Sequence, residues 1–201
     1  TVYPFGYAIY NSLYQILLVL PTKPFVGVSN YIEVVSSPYF LEALTNTLLF
    51  AAVTAPITVI ISLGVARLLL QKFLGRRVVR AVLLLPWAIP GAVSGILWMW
   101  IFHGQFGVLN MILWRIGIIE NYISFLTEPA LARLAVVIAH IWTQIPFVSV
   151  LLMAALTTIN KELYEAAEVD GANAFRRLVN VTIPHIRGML LIGLIYELII
   201  G

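Results

Sequence analysis

The chain has 201 residues, 61% of them hydrophobic and 10% charged, with a formal net charge of +3. Soluble domains average roughly 45–50% apolar and about 25% charged residues, so this composition excludes an ordinary water-soluble core and points to a bilayer as solvent. The lack of cysteine excludes a disulfide framework, thiolate metal sites and a cysteine nucleophile, and a modest positive charge is no argument for nucleic acid.

Residues 1–20 are apolar and aromatic, with Pro4 near the front and Asn11, Ser12 and Gln15 interrupting the run. They are expected to form the outer end of a membrane helix, or alternatively an interfacial helix, broken by Pro21 and Pro24. A connecting segment over 25–42 carries a short helix around 31–35, and Pro38 restarts the chain. Residues 45–70 form a first complete span, with Arg67 snorkelling near one end. The segment 71–80 is short and basic, with Lys72, Arg76, Arg77 and Arg80.

Residues 81–102 are expected to form the next span, although Pro86, Pro90, Gly91 and Gly95 lie inside it; membrane helices tolerate such residues where neighbours re-satisfy the backbone. Residues 103–129 read as a polar-aromatic loop. Residues 131–156 form a third span containing Pro146. A polar stretch over 157–187 follows, and 188–201 begins a further span. The apolar ends at Thr1 and Gly201 lead to the expectation of an all-α, polytopic transmembrane bundle that is incomplete at both ends. The two basic loops, 71–80 and 157–187, are separated by two spans and so fall on one side, which the positive-inside rule makes cytoplasmic.

The 157–187 loop is the most informative. Helix formers over 161–170 follow Asn160, whose side chain is placed to cap the helix. Glu162 and Glu165 lie near the positive end of the helix dipole. Gly171 is free to take positive φ and turn the chain. A second helix over 173–181 and a join at Pro184 complete a helix–glycine–helix elbow. The small residues Ala166, Ala167 and Ala172 would let a partner approach closely, and Glu165, Glu168 and Asp170 offer anionic anchors. On physical grounds alone the elbow is either a docking knob or an ordinary capped interfacial helix.

Other residues invite weighing. Glu197 is ionisable within an apolar run, and such residues usually face a cavity or a partner. Trp142 and Gln144, with His140, are candidates either for a substrate path or for helix-packing contacts. Trp98 and Trp100 read first as interfacial anchors, Asn46 as a helix cap, and Gly64, Gly91 and Gly95 as close-packing positions. The three histidines show no metal-type spacing.

The run Glu165-Ala166-Ala167, two residues, then Asp170-Gly171-Ala172, with Ile183-Pro184 downstream, resembles the EAA motif of binding-protein-dependent ABC importer permeases. Ile183 stands where that family usually has leucine, a conservative departure. Tyr3-Pro4, residues 25–31 and 43–47, Trp142, Pro146-Phe147 and Leu156 look like the sugar-type permeases, so the resemblance covers nearly the whole chain. It is closest to permeases for oligosaccharides, disaccharides or glycerol phosphates.

The resemblance implies a type I importer permease fold and a multi-pass protein of the inner membrane, in contact with lipid. It implies a second permease subunit, an extracytoplasmic solute-binding protein, and a pair of ABC ATPase subunits. ATP and Mg would be bound by the ATPase, and no cofactor by this chain. Glu165 would anchor the ATPase, with Asp170 and Gly171 fixing the elbow. The sequence holds no GxxxxGK[ST] phosphate loop. A membrane enzyme would need convergent acids, a Ser/His pair or a metal set, none of which is evident. A channel or scaffold without ATP coupling remains the alternative, and leaves the elbow unexplained.

Overall fold

A computed structural model describes residues 2–16 and 23–200. It divides into two compact units, residues 1–49 and 50–201.

In the first unit, α1 (Val2–Ser12) is followed by an antiparallel bridge between Tyr14 and Phe25. Two backbone bonds make the bridge, from Gln15 N to Pro24 O at 3.0 Å and from Val26 N to Leu13 O at 2.9 Å. The amide of Asn30 donates to the carbonyls of Ser12 and Tyr14. The helix expected over 1–20 therefore ends at Ser12, because the Leu13 carbonyl is bonded across the bridge, and those of Ser12 and Tyr14 to Asn30, rather than along a helix. Residues 17–22, including Pro21, lie outside the described residues. The short helix α2 spans Ser29–Ser36, and α3 (Pro38–Leu70) starts at the proline that was expected to restart the chain. Asn46 is thus inside a helix and not at its cap.

In the second unit, α3 presents a stripe of small buried residues: Ala51, Thr54, Ala55, Thr58, Val59, Ser62 and Ala66. Their spacing of three and four puts them on one helical face. Small residues let membrane helices approach closely enough for dispersion and side-chain hydrogen bonds to hold them. The stripe meets α7 (Pro129–Leu156) and α10 (Ile183–Ile200) around Val148, Leu152, Leu156 and Ile186. The Ser62 hydroxyl donates to the Ile145 carbonyl at 3.2 Å. Gly193 is the close-packed glycine of this core; a Cβ there would touch Val59 and Val148 at 3.6 Å. No atom of the described residues lies within 4 Å of a Cβ built at Gly64, Gly91 or Gly95, so the packing of this core does not depend on them.

The span expected over 81–102 is broken. Helices α4 (Arg76–Ala88) and α5 (Gly91–Ile101) meet at an angle of 100°. Pro90 supplies no N–H and pushes the preceding residue out of the helical region; Ile89 is accordingly extended, at φ −77° and ψ 128°. Among the described residues, three helices are long and apolar enough to cross a membrane, and a fourth crossing results if the bent pair counts as one.

Residues 103–129 are not an open loop. Helix α6 (Val108–Arg115) carries Asn110, which is fully buried. Its amide donates to the carbonyls of His103 at 3.2 Å and Ile123 at 2.9 Å, and its Oδ1 accepts from Ile123 N at 3.0 Å. Gly107 is obligatory beside it, since a Cβ would lie 2.3 Å from the His103 carbonyl oxygen.

After α8 (Lys161–Val169) and α9 (Ala174–Arg177), a π-helical turn over Leu178–Thr182 leads directly into α10. The join expected at Pro184 lies inside a continuous helix, and the span expected from 188 begins well before it. Residues 174–200 form one span-length helix. The wider turn, with Ile183 N bonded to Leu178 O, absorbs the backbone disruption that Pro184 would otherwise cause.

Candidate functional site

The elbow forms as its sequence dictates. Asn160 is extended, and its Oδ1 accepts from Glu162 N at 3.1 Å, satisfying an orphan donor of the first turn. At the other end Gly171 takes φ +75°. Its N–H bonds the Glu168 carbonyl at 3.0 Å and that of Ala172 bonds Ala167 at 2.9 Å, the paired closure of a Schellman motif. Asn173 then caps α9 by accepting from Arg176 N at 2.9 Å. Asp170-Gly171-Ala172-Asn173 thus stops one helix, turns, and starts the next.

Glu165, Ala166 and Asp170 are exposed on this elbow, and Ala167 and Ala172 are half-buried. Glu165 and Asp170 form no ion pair among the described residues. Glu168, read from sequence as a third anchor, is instead paired with Arg177 at 3.0 Å, one turn-and-return away across Gly171. Val169 is 88% exposed and sits one turn after Glu165 on the same face. The elbow therefore offers a carboxylate beside an apolar contact, and the spacing of four was the signal available in the sequence.

Tyr164 ties the elbow to the bundle. Its ring packs against the core around Ile159 and Ile186, and its hydroxyl is 3.0 Å from the buried Thr182 hydroxyl in the π turn. Arg80 holds a second junction: its guanidinium donates to the Leu69 carbonyl at 3.0 Å, where a cation suits the negative end of α3.

The break between α4 and α5 opens a cavity of about 430 Å³. It is walled by Trp87, Trp98 and Phe50, with Thr143, Gln144 and His140 of α7 supplying polar groups. Trp98, expected at a membrane interface, faces inward here, with its ring edge-on to Trp142 at 5.5 Å. Trp142 itself is outside the lining and buttresses Trp98. Gln144 lines the cavity, and its Oε1 accepts from the Tyr196 hydroxyl at 3.2 Å. Glu197 is fully buried behind the wall, its Oε2 3.2 Å from His140 Nε2. Of the four path candidates read from sequence, His140 and Gln144 are in the lining, while Trp142 and Glu197 support residues that are. The structure adds Trp87 and Trp98. No group of three His, Asp or Glu among the described residues is placed to hold a metal ion.

Residues 58–201 match the family model for binding-protein-dependent transport system inner membrane components. The chain is 36% identical, over 94% of its length, to the trehalose/maltose transport system permease protein MalF of Thermococcus litoralis, covering 63% of that protein. It is also 36% identical, over 98% of its length, to the sulfoquinovosyl glycerol transport system permease protein SmoG of Agrobacterium fabrum, covering 64% of it. The chain thus spans a little under two thirds of the length of these relatives. Among solved structures it superposes on the bacterial alginate ABC transporter in complex with an alginate pentasaccharide-bound periplasmic protein. There the TM-score is 0.75 at 26% identity, covering 85% of this chain and 59% of the other.

Proposed function

The chain belongs to the family of binding-protein-dependent transport system inner membrane components, and from that membership we propose that it forms part of the path of an ABC importer and docks a separate ATPase through the 160–173 elbow. The family is one of transport components rather than enzymes. The apolar helices α3, α7 and α9–α10 are of a length to cross the inner membrane. The solute is a sugar, an oligosaccharide or a glycerol phosphate, as the names of the relatives lead one to expect. A second permease subunit completes the path, an extracytoplasmic solute-binding protein delivers the solute, and paired ATPase subunits hold ATP and Mg.

The observation that carries the docking role is the exposed Glu165 beside exposed Val169, on a helix tied to α10 through Tyr164 and Thr182. A docking helix must be free on its outer face and rigidly joined on its inner one. With both basic segments on one side, the elbow and residues 71–80 are cytoplasmic. When the ATPase pair closes on ATP, motion of α8 passes to α10 through Tyr164 and the fixed turn at Gly171, and α10 carries it to the α7 wall of the cavity. Discontinuous helices commonly build the solute sites of transporters, because they expose backbone groups only where a cavity receives them; the broken α4–α5 pair fits that role.

Co-purification tests this reading. The full-length subunit is expressed with its neighbouring permease and candidate ATPase, with and without Glu165→Lys. Wild type should carry the ATPase and the charge reversal should shed it. Equal retention by both would remove the docking role from Glu165.

A further inference from the structure

We propose that the recess between the end of α3 and the start of α4 holds the phosphate headgroup of an anionic phospholipid of the cytoplasmic leaflet. The inference rests on the reading that residues 71–80 face the cytoplasm.

The sequence sets up the charge. From residue 43 to residue 119 there is no Asp or Glu, yet Arg67, Lys72, Arg76, Arg77 and Arg80 all fall in that stretch. None of the five forms an ion pair among the described residues, where the ion pairs are His140–Glu197 and Arg177–Glu168. Membrane orientation accounts for basic residues beside a span. It needs only their charge, whereas here the charge is arranged.

Phe73, Leu74, Gly75, Arg76, Arg77 and Arg80 line a recess of about 500 Å³. Gly75 turns the chain at φ +83°, and α4 begins at the next residue. Arg76 and Arg77 therefore occupy its first turn, and Arg80 follows four positions after Arg76 on the same face. No side chain caps this end of the helix. Cations in a first turn oppose the positive end of the helix dipole. Three like charges and that dipole thus share one recess without a counterion. A phosphate relieves all of them together, because guanidinium forks match it with paired, charge-assisted hydrogen bonds.

Burial supplies an independent observation. Arg76 and Arg80 are half-buried, and the Nε of each is shielded from water with no acceptor among the described residues. Donors withdrawn from water normally have a partner. Arg80 spends one terminal nitrogen on the Leu69 carbonyl at 3.0 Å and the Met153 sulfur at 3.6 Å. The negative end of α3 is the feature here that would repel an anion, and this bond covers part of it while holding the guanidinium in place.

The surroundings choose a lipid over a free anion. Leu74 is fully exposed in the lining, and Val78 is exposed just beyond Arg77. Leu68 on α3 and Val82 and Leu85 on α4 continue this exposed apolar surface along both helices. A soluble anion gains nothing from them. A phospholipid sets its phosphate on the arginines and its acyl chains against the leucines and valines. Clusters of four or more Lys and Arg on the cytoplasmic side of a span suit anionic headgroups, and residues 71–80 hold four.

The test uses the assembled importer, delipidated in a non-ionic detergent and titrated with phosphatidylglycerol or with phosphatidylcholine of the same acyl chains. Retained lipid is counted by native mass spectrometry. Wild type should hold phosphatidylglycerol at least fivefold more tightly. Arg76→Gln/Arg77→Gln should cut that preference at least threefold. Lys23→Gln/Arg115→Gln, which removes the same charge from exposed positions outside the recess, should leave it unchanged. No preference in wild type, an unchanged one in Arg76→Gln/Arg77→Gln, or an equal loss in both variants overturns the proposal. So does displacement of the lipid by equimolar inorganic phosphate, which would make the ligand a soluble anion. Loss of the ATPase from Arg76→Gln/Arg77→Gln on size exclusion, with lipid preference intact, would assign the recess to a protein partner and equally overturn it. Should that variant fail to assemble, Arg77→Gln, at an exposed position, must weaken phosphatidylglycerol at least twofold, and no change overturns the proposal. Sidedness is read separately. Gln71→Cys, placed in a subunit with no other cysteine, should react with a membrane-impermeant maleimide only in inverted vesicles. That result upholds the cytoplasmic reading whatever the lipid result; labelling from outside overturns the reading, and the leaflet assignment with it.

Discussion

The hydroxyl of Tyr164 lies 3.0 Å from that of Thr182, joining the elbow helix to the π turn at the foot of α10 across 18 positions of sequence. Thr182 is buried and also bonds the Arg177 carbonyl at 3.3 Å, so the contact has one fixed end. It is a polar link between α8 and the foot of the last helix.

Tyr164→Phe should therefore leave insertion and assembly intact, since the ring still packs and the hydrogen bond is worth about 0.5–1.5 kcal/mol. Coupling should fall: solute moved per ATP hydrolysed, measured in proteoliposomes, is expected to drop several-fold. An unchanged ratio would show that the ring alone transmits the motion.

Gly171 occupies a backbone region that costs residues with a Cβ roughly 1–2 kcal/mol. Its φ is +75° and no atom lies within 4 Å of a Cβ built there. The penalty is thus conformational and not steric. Gly171→Ala should weaken ATPase retention, while Gly171→Asn, which tolerates this region better, should retain more. Gly171→Pro should abolish coupling while inserting normally. Pull-down yields from the three variants give the ranking, and an equal yield from all three would contradict it.

Glu165 and Glu168 should behave differently although both are exposed acids of one short helix. Glu168 is already paired with Arg177 at a solvent-exposed position, where such pairs contribute about 0–1 kcal/mol. Glu168→Ala should shift thermal stability little and keep the ATPase bound. Glu165→Ala should impair transport with insertion unchanged. Uptake assays on the pair decide it: normal uptake by Glu165→Ala would end its docking role.

Asn110→Leu should be among the more damaging single changes outside the main helix contacts. It would strand the part-buried partners of the amide at His103, Ile123 and Gly104, each unsatisfied group costing up to about 1–3 kcal/mol. The expected readout is a lowered melting temperature of the purified complex and faster proteolysis between residues 103 and 129. A variant as stable as wild type would mean that water replaces the amide.

Gly193→Leu tests the crossing of α3, α7 and α10. A Cβ is tolerated at 3.6 Å from Val59 and Val148, but three further carbons are not, and overpacking costs typically about 1–3 kcal/mol. Gly193→Ala should be near neutral in detergent stability and Gly193→Leu poorly expressed. Equal yields of the two would show that the helices separate readily there.

The sequence by itself determined what depends on neighbours in the chain. Apolar length marked α3, α7 and the start of the final span, because a bilayer demands an apolar segment of a set length. Asn160, Asp170-Gly171-Ala172 and Asn173 spelled the elbow, because caps and left-handed turns are made by residues a few positions apart.

Tertiary structure alone decided the remainder. Pro86 and Pro90 announced a disturbance, but a kink and a 100° break have the same local sequence; the outcome depends on which helices receive the exposed backbone. The continuity of the helix through Pro184, where the sequence marked a join, is the converse case, settled by a π turn. Glu168 became paired only because the return of the chain placed Arg177 beside it. His140 and Glu197 are 57 positions apart, and nothing in either segment names the other. Their pairing, and the cavity before it, exist because the small-residue face of α3 lets α7 and α10 come together, an effect of packing over distance that no local periodicity encodes.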